Sequence, residues 1–319
     1  MKKTVIQVVA CITMASCGSA KSEGPDICAT PLDIAAPADV TVTARDVRIL
    51  PAVGRRAFDA WTFDGAVPGP ALRMKLGDSL SVKLVNTSPR AASLHFMGME
   101  YGVEEDGTMD FPFSVVGRQC AHVYPITALT EGVWPFLSHV EPRLALSRGQ
   151  YVAIVVSSAY EPPAQHEFVL FMGQLGLEGE EGGDEDEDEE QSPFYMTLNG
   201  RAFGDGQVIE LENDRYVPHE NTNPSARVGD LVRWRLINTS PDVFHTFGIH
   251  GHNFCDRGGL ASPTEGCPHD GKPVNIVEVP PLMTASIEYV EDKAGRWMYH
   301  CHLLDHVDEG MMGYYEVAP

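Results

Sequence analysis

The last twenty residues of the chain hold a set of side chains that could bind copper. Cys301 is followed by His306 five positions later and by Met311 ten positions later. With one more histidine from upstream, these residues form a His2Cys set with a weak axial thioether, which is typical of a blue electron-transfer copper site. A reduced structural cysteine among surface histidines would leave the register of Met311 unexplained. The spacing therefore predicts a type 1 copper site.

Two histidines flank that cysteine. Successive side chains of a β-strand point to opposite faces, so His300 and His302 must face away from a metal that Cys301 binds. We expect them to face a second metal, joined to the first through one residue of backbone.

An internal repeat indicates the architecture that positions these residues. The segment from Gly77 to Pro89 is repeated from Gly229 to Pro241 as a Gly-Asp turn, an alternating strand and an Asn-Thr-Ser-Pro breaker. Many short strands with Gly/Pro turns, and no long segment of 3.6-residue period, indicate β-sandwiches. Aligning the two copies places Ser138 where Cys301 stands, so the first copy lacks a thiolate.

Length and charge bound the organisation further. At 319 residues the chain is long enough for two domains, predicted at 37–175 and 194–319. The net charge is −22, and residues 178–190 hold ten carboxylates and no base, which predicts a solvated acidic linker at 176–193. This charge argues against nucleic acid and anionic membrane surfaces as partners.

The N-terminus predicts export. Residues 1–17 carry two lysines and an apolar stretch too short to span a bilayer, as in a signal peptide. The last four of these residues, ending at Cys17, resemble a bacterial lipobox, and the alternative is plain cleavage after a small residue. Gly18 after Cys17 points, by the same resemblance, to the outer membrane. We expect a periplasmic or cell-surface protein with a lipid anchor on Cys17.

Four cysteines remain once the signal segment and Cys301 are set aside. In an oxidising compartment they suggest two disulfides, out of three possible pairings. Cys255 and Cys267 flank one Gly/Pro-rich loop and form the natural pair. Cys28 with Cys120 then follows only by elimination.

Four histidine-bearing segments carry a resemblance to a known family. They are Leu94 to Gly98, Trp134 to His139, His245 to His252, and His300 to Met311. In these segments the chain resembles a two-domain multicopper oxidase, similar to bacterial small laccases and related to copper nitrite reductases and ceruloplasmin. The resemblance implies an all-β fold of two Greek-key cupredoxin β-sandwich domains in tandem, with copper as the cofactor. It also implies a head-to-tail homotrimer.

By the same resemblance the second domain has all four type 1 ligands: His245, Cys301, His306 and Met311. His245 and His250 are an odd number of positions apart, so on a strand they face opposite ways. This agrees with His245 sharing a face with Cys301 while His250 joins His300.

The trinuclear cluster of the family is incomplete in this chain. Of its eight histidine positions, five are kept and three are replaced. The kept ones are His95, His139, His250, His300 and His302, and the replacements are Met97, Leu137 and Gly248. By family assignment His139, His250 and His300 bind one copper together. His95, His302 and Met97 would remain as a degenerate site with weak affinity for Cu(I).

Two residues near this cluster also match small laccases, Tyr101 and Asp106. In that family the acid delivers protons to the cluster, which would make Asp106 a catalytic proton relay. The alternative is an ordinary Asp-Gly hairpin turn. The remaining histidines match no ligand position and are expected to be surface or structural: His122, His166, His219, His252 and His269.

Two functions follow from this pattern. The first is an exported copper oxidoreductase, in which a small-molecule or protein donor reduces the type 1 copper. Electrons then pass to the three-histidine copper, where a small oxidant such as oxygen or nitrite binds. The second is a non-catalytic copper-binding or electron-transfer protein with a relic cluster. Full laccase activity is the least favoured, because it uses all four coppers in this family.

Overall fold

The computed structural model describes residues 30–31, 36–157, 161–177, 193–204, 206–257 and 272–319. Strands dominate these residues, and the α-helices among them are two short ones, α1 (Pro142–Ser147) and α2 (Leu304–Asp308). The predicted all-β class is therefore confirmed. In the described part of the chain, no helix is long and apolar enough to cross a membrane. The signal segment with Cys17, the acidic run 178–190, Cys28, Cys267 and His269 lie outside the described residues.

The first half of the molecule, from Thr30 to Ser157, forms two sheets. Its strands are β1 (Thr30–Pro31), β2 (Val40–Ile49), β3 (Phe58–Phe63), β4 (Ala71–Lys75), β5 (Ser79–Asn86), β6 (His95–Phe96), β7 (Met99–Glu100), β8 (Cys120–Ala128), β9 (Gly132–Leu137) and β10 (Tyr151–Ser157). One sheet has the order β1-β8-β5-β2-β3 with β7 beside β8, and the other has the order β4-β10-β9-β6. Two 3-10 turns, Val103–Glu105 and Pro112–Ser114, lie between β7 and β8.

The second half, from His166 to Ala318, repeats this plan. Its strands are β11 (His166–Leu175), β12 (Tyr195–Leu198), β13 (Gln207–Glu212), β14 (Arg215–Glu220), β15 (Ser225–Arg227), β16 (Leu231–Asn238), β17 (His245–Ile249), β18 (Phe254–Asp256), β19 (Lys272–Val274), β20 (Val277–Val279), β21 (Thr284–Val290), β22 (Gly295–Cys301) and β23 (Met312–Ala318). The larger sheet has the order β14-β13-β11-β16-β21-β18-β19 with β12 beside β11, and the smaller has the order β15-β23-β22-β17-β20.

The repeated Gly-Asp turns start the central strand of each half in the same way. Gly77 and Gly229 have φ of +91° and +99°, a conformation that favours glycine. The following Asp78 and Asp230 each accept a hydrogen bond from a backbone N–H three residues upstream, at 3.0 and 2.8 Å. Along β5 buried side chains alternate with more exposed ones, whereas β16 is buried on both faces after its first residue.

The two halves share part of their core. One buried cluster lies between the sheets of the first half and one between those of the second, while a third contains residues of both halves, including Tyr151, Phe171 and Ile237. Strand β11 pairs in parallel with β16. The predicted range 37–175 assigns β11 to the first domain, but its hydrogen bonds run to strands of the second half.

Candidate metal centre

Two adjacent strands and a short helix bring three predicted type 1 ligands together. Strands β17 and β22 are antiparallel with Phe247 opposite Cys301, so His245 and Cys301 point to the same side. Helix α2 follows β22 after a short turn and carries His306. All three side chains are buried, and they form the one group of three or more potential metal-binding side chains found in the described residues.

The spacing of the three ligand atoms fits a trigonal metal site. Nδ1 of His245 lies 3.1 Å from Nδ1 of His306, and the Cys301 Sγ lies 3.5 and 3.9 Å from the His306 and His245 nitrogens. A trigonal metal with bonds of about 2.0–2.3 Å separates its ligands by about 3.5–4.0 Å, which matches both sulfur–nitrogen distances, while the two nitrogens lie closer together. Met311 is buried in the same core, and its backbone N–H donates to the His306 carbonyl at 2.8 Å. The donor set therefore fits copper.

Hydrogen bonds from neighbouring residues orient these ligands. The Ser240 hydroxyl lies 2.8 Å from Nε2 of His245, which leaves Nδ1 free for a metal. Asn238 accepts a hydrogen bond from the Ser240 backbone and so holds that serine in place. The backbone N–H of Thr246 donates to the Cys301 sulfur at 3.4 Å. Partners of this kind fix the tautomer and the direction of a metal ligand.

Burial keeps the imidazoles neutral, as metal binding requires. Loss of hydration, and then the neighbouring His306, lower the pKa of His245 to about 3. Burial also lowers the pKa of His306.

The opposite face of the same strands carries three more histidines. Nε2 of His250 lies 2.9 Å from Nε2 of His300, and Nδ1 of His300 donates to the Cys301 carbonyl at 2.5 Å. The His302 ring stacks on His300 with ring centroids 4.3 Å apart. A Cβ atom added at Gly248 would lie 2.4 Å from Nε2 of His302. The space that a side chain at position 248 would enter is therefore occupied by His302.

The first half holds a smaller histidine cluster. The rings of His95 and His139 are in edge contact, with centroids 4.9 Å apart. Nδ1 of His95 donates to the Asp106 carbonyl at 2.8 Å, while the Asp106 carboxylate accepts from Thr108 at 2.6 Å and from Tyr101 at 3.4 Å. Residues 101–119 are all described and contain no strand, so Asp106 does not lie in a hairpin turn.

Within one chain these two clusters stay apart. His139, His250 and His300 do not form a group with mutually close ligand atoms among the described residues. At the replaced positions, Leu137 is fully buried in the core, and Met97 is partly buried and packs against it.

One cysteine of each predicted disulfide lies among the described residues. Cys120 and Cys255 are both disulfide-bonded, and Cys301 is a free, buried thiol. The predicted partners, Cys28 and Cys267, lie outside the described residues, so the pairing stays a prediction.

Comparisons with known proteins identify the family of the chain. Two multicopper oxidase family models match residues 45–161 and 187–319. A probable nitrite reductase-hydroxylamine oxidoreductase fusion protein of Kuenenia stuttgartiensis is 28% identical over 276 residues, covering 82% of this chain and 29% of that protein. The copper-containing nitrite reductase of Neisseria gonorrhoeae is 25% identical over 202 residues, covering 61% of this chain and 47% of that enzyme. Human ceruloplasmin is 24% identical over 280 residues, covering 78% and 23%.

Solved structures support the fold. A multicopper oxidase and the blue copper oxidase of Nitrosomonas europaea both superpose with a TM-score of 0.68 at 22% identity; each match covers 87% of this chain, and 88% and 85% of the solved chains. The predicted fold of two cupredoxin domains is thereby supported. The chain spans less than half the length of each of the three relatives named above. The two family models together cover most of the chain and imply copper as the cofactor, and the chain belongs to the multicopper oxidase family.

Proposed function

We propose that this protein passes electrons from a type 1 copper to a second copper that binds a small oxidant. His245, Cys301, His306 and Met311 hold the first metal. His250 and His300, with His139 of the partner subunit, hold the second. Copper supplies one-electron redox chemistry at both places and an open coordination position at the second. The observation that carries the proposal is that His300 and Cys301 are adjacent in β22 while their side chains face different histidine groups.

The backbone between the two sites provides a short route for electrons. Nδ1 of His300 donates to the carbonyl of Cys301, so the two ligands are joined both by a peptide bond and by this hydrogen bond. The same hydrogen bond fixes the tautomer of His300 and turns its Nε2 toward His250. The ring that would bind the second metal is therefore set by the residue that binds the first.

Completion of the second site requires another copy of the chain. His139 belongs to the first half and lies outside the His250–His300 group of the same chain. Exposed apolar side chains support contact between copies, since large exposed apolar patches favour association. In the first half, Val103, Met109, Phe111 and Phe113 are 43–67% exposed, and in the second half Phe244, Ile276 and Leu304 are 39–72% exposed. We propose a head-to-tail homotrimer.

The oxidant is a small molecule, with nitrite and oxygen as the candidates. Nitrite is favoured because two relatives are described as nitrite reductases and because a mononuclear second site does not provide the four coppers of a laccase. The reductant is a small molecule or a redox protein. Export with a lipid anchor on Cys17 remains part of the proposal and rests on the N-terminal sequence.

A second candidate function is supported by Gly248 and Leu137. The ring of His302 fills the space above Gly248, and Leu137 presents a buried apolar side chain. Neither position can contribute a ligand, so the chain could be a non-catalytic copper or electron carrier.

The metal content of the purified protein, with paramagnetic resonance spectra, tests both candidates. We expect about two coppers per chain, one of type 1 and one of type 2, and a trimer by light scattering. His300→Ala should remove only the type 2 signal, while His219→Ala, at a partly exposed histidine of the β13–β14 hairpin that belongs to neither ligand set, should change neither. One copper per chain and no nitrite turnover would favour the carrier. Four coppers with a coupled pair would show that other residues supply the missing ligands.

A further inference from the structure

A buried histidine–glutamate pair lies next to one ligand of the proposed second copper site. His252 and Glu291 have side chains only 2% and 0% exposed, and Nε2 of His252 lies 3.1 and 3.2 Å from the two Glu291 carboxylate oxygens. Of the two expectations for His252, surface or structural, the buried position excludes the first. His252 matches no ligand position of the family.

The pair is connected to the backbone of His250. Nδ1 of His252 donates to the His250 carbonyl at 2.8 Å. One oxygen of Glu291 accepts from the backbone N–H groups of Asp292 and Lys293 at 3.0 Å, and the Lys293 ammonium donates to the Gly251 carbonyl at 2.5 Å. The turn from His250 to His252 is therefore held on both sides by one network.

The first half shows that the fold does not need this pair. Gly229 donates to the Glu291 carbonyl at 2.8 Å, as Gly77 donates to the Ala128 carbonyl at 2.8 Å, so Ala128 takes the place of Glu291. Gly98 and Gly251 both have positive φ and both lie against a tryptophan, which places Met99 where His252 stands. Met99 and Ala128 are cross-strand partners. An apolar pair thus occupies this position in the half that lacks His250.

A buried pair of polar side chains contributes little to stability, because desolvation offsets much of its attraction. An apolar pair of similar volume is often equally stable or better. The His252–Glu291 pair occurs in the half that has His250, and an apolar pair takes its place in the half that lacks His250, which indicates a role at the His250–His300 group. Residues that orient metal ligands typically change metal affinity by about 10–100-fold when they are replaced.

We propose that His252 and Glu291 are positioning residues for His250, which they hold at the distance from His300 that a shared copper requires. This inference rests on the proposed second copper site. It concerns a side chain that touches neither the metal nor the oxidant.

The test replaces the pair by its counterpart from the first half, His252→Met with Glu291→Ala. Cu²⁺ is titrated into the copper-free trimer, and the type 1 absorption and the type 2 resonance signal are followed separately. We expect the affinity of the second site to fall about 10–100-fold while the type 1 band is kept. In the metal-free crystal structure the Nε2 atoms of His250 and His300, 2.9 Å apart in the wild type, should separate. The single variant His252→Gln, whose amide can still donate to the His250 carbonyl, should keep most of the copper affinity that the double variant loses at the second site.

A matched control uses an exposed pair of the same type. His219 and Glu212 lie 2.7 Å apart on the surface of the β13–β14 hairpin, and His219→Met with Glu212→Ala should leave both copper sites unchanged. Unchanged second-site affinity and superposable His250 rings in the first double variant would overturn the proposal. Loss of the type 1 band would also overturn it, because the pair would then serve the fold. A wild type with one copper would refute the proposed function instead, and the ring separation in the metal-free structures would still decide the role of the pair.

Discussion

The type 1 pocket of the second half has a metal-free counterpart in the first half. The backbone of Cys301 donates to the Met311 carbonyl at 3.3 Å, as Ser138 donates to Gln150 at 3.5 Å. Met311 in turn donates to the His306 carbonyl at 2.8 Å, as Gln150 does to Ala145 at 2.8 Å. His245 pairs across the strands with Val279, as Ala92 pairs with Val116. The four proposed copper ligands thus correspond to Ala92, Ser138, Ala145 and Gln150, all of them buried.

The two halves therefore share the backbone that surrounds the pocket and differ in the side chains that could bind a metal. A short helix and the same backbone hydrogen bonds form in both halves, although only the second half carries the four side chains that could bind a metal. Copper is therefore not needed to build the pocket, and the ligands are presented by a frame that folds without it. Substitutions that copy a residue of one half into the other test this difference.

The largest effect is expected from Cys301→Ser, which gives the second half the residue of the first. Without the thiolate the intense blue or green absorption should vanish completely, and copper content should fall by about one per chain. Absorption spectra with metal analysis check this. The reverse variant, Ser138→Cys, is the control and should add no second band, because Ala92 and Ala145 supply no imidazole. A copper-loaded wild type without a charge-transfer band would refute the type 1 assignment.

Restoring the missing cluster histidines should have the next largest effect. Met97→His and Leu137→His together are expected to raise copper uptake above about two per chain, measured by metal analysis of the trimer. Addition of Gly248→His should help only if His302 moves, because a Cβ at position 248 lies 2.4 Å from its Nε2.

The first half shows the arrangement that this third variant needs. There His95 stands at the position of Gly248 and lies edge-on to His139 at 4.9 Å. Uptake that rises fully with Gly248→His alone would contradict the packing of His302. Recovery of oxidase activity should be partial, since the three substitutions do not supply the partners that orient ligand histidines.

The proposed copper ligands could be predicted from the sequence because three of them lie within eleven residues of one another, from Cys301 to Met311. The alternation along β22 separates Cys301 from His300 in any strand, and the Cys–His–Met spacing is set by one short turn. Three features were not accessible. The correspondence between Ala92 and His245 is not visible in the sequence, because the loop that precedes His245 is one residue longer than the loop that precedes Ala92. The place of β11 depends on long-range pairing, and the His252–Glu291 contact joins residues 39 positions apart.

A pair of asparagines allows a smaller and more selective comparison. Asn86 and Asn238 each donate to two backbone carbonyls at 2.7–2.8 Å and each accept one backbone N–H. Replacement of either by alanine should lower the free energy of unfolding by about 2–3 kcal/mol, because buried carbonyls lose their donors.

Only Asn238→Ala should alter the colour of the protein. Asn238 holds Ser240, and Ser240 contacts Nε2 of the copper ligand His245, whereas Asn86 has no ligand behind it. Denaturant melts and absorption spectra of both variants check this. An equal spectral change in Asn86→Ala would show that the two halves are coupled rather than independent.

The smallest effect is expected in the copper-free protein as pH falls. The pKa of His245 is about 3 in the folded chain and about 6.5 in an unfolded one. Between these two pH values the imidazole is protonated in the unfolded state and neutral in the folded state. Its stabilising contribution is complete above pH about 6.5 and decreases toward pH 3, by about 2 kcal/mol between pH 6.5 and pH 5. Thermal melts should show this as a loss of roughly 5 °C.

His245→Ala, which gives this position the residue of Ala92, should flatten that part of the slope. The lowered pKa of His306 leaves a smaller slope in the same direction. Copper should keep this slope and extend it toward neutrality, because the metal-bound imidazoles and thiolate stay deprotonated in the folded protein while the unfolded chain takes up protons. Identical slopes for the wild type and His245→Ala, both copper-free, would mean that this histidine is not held neutral by burial.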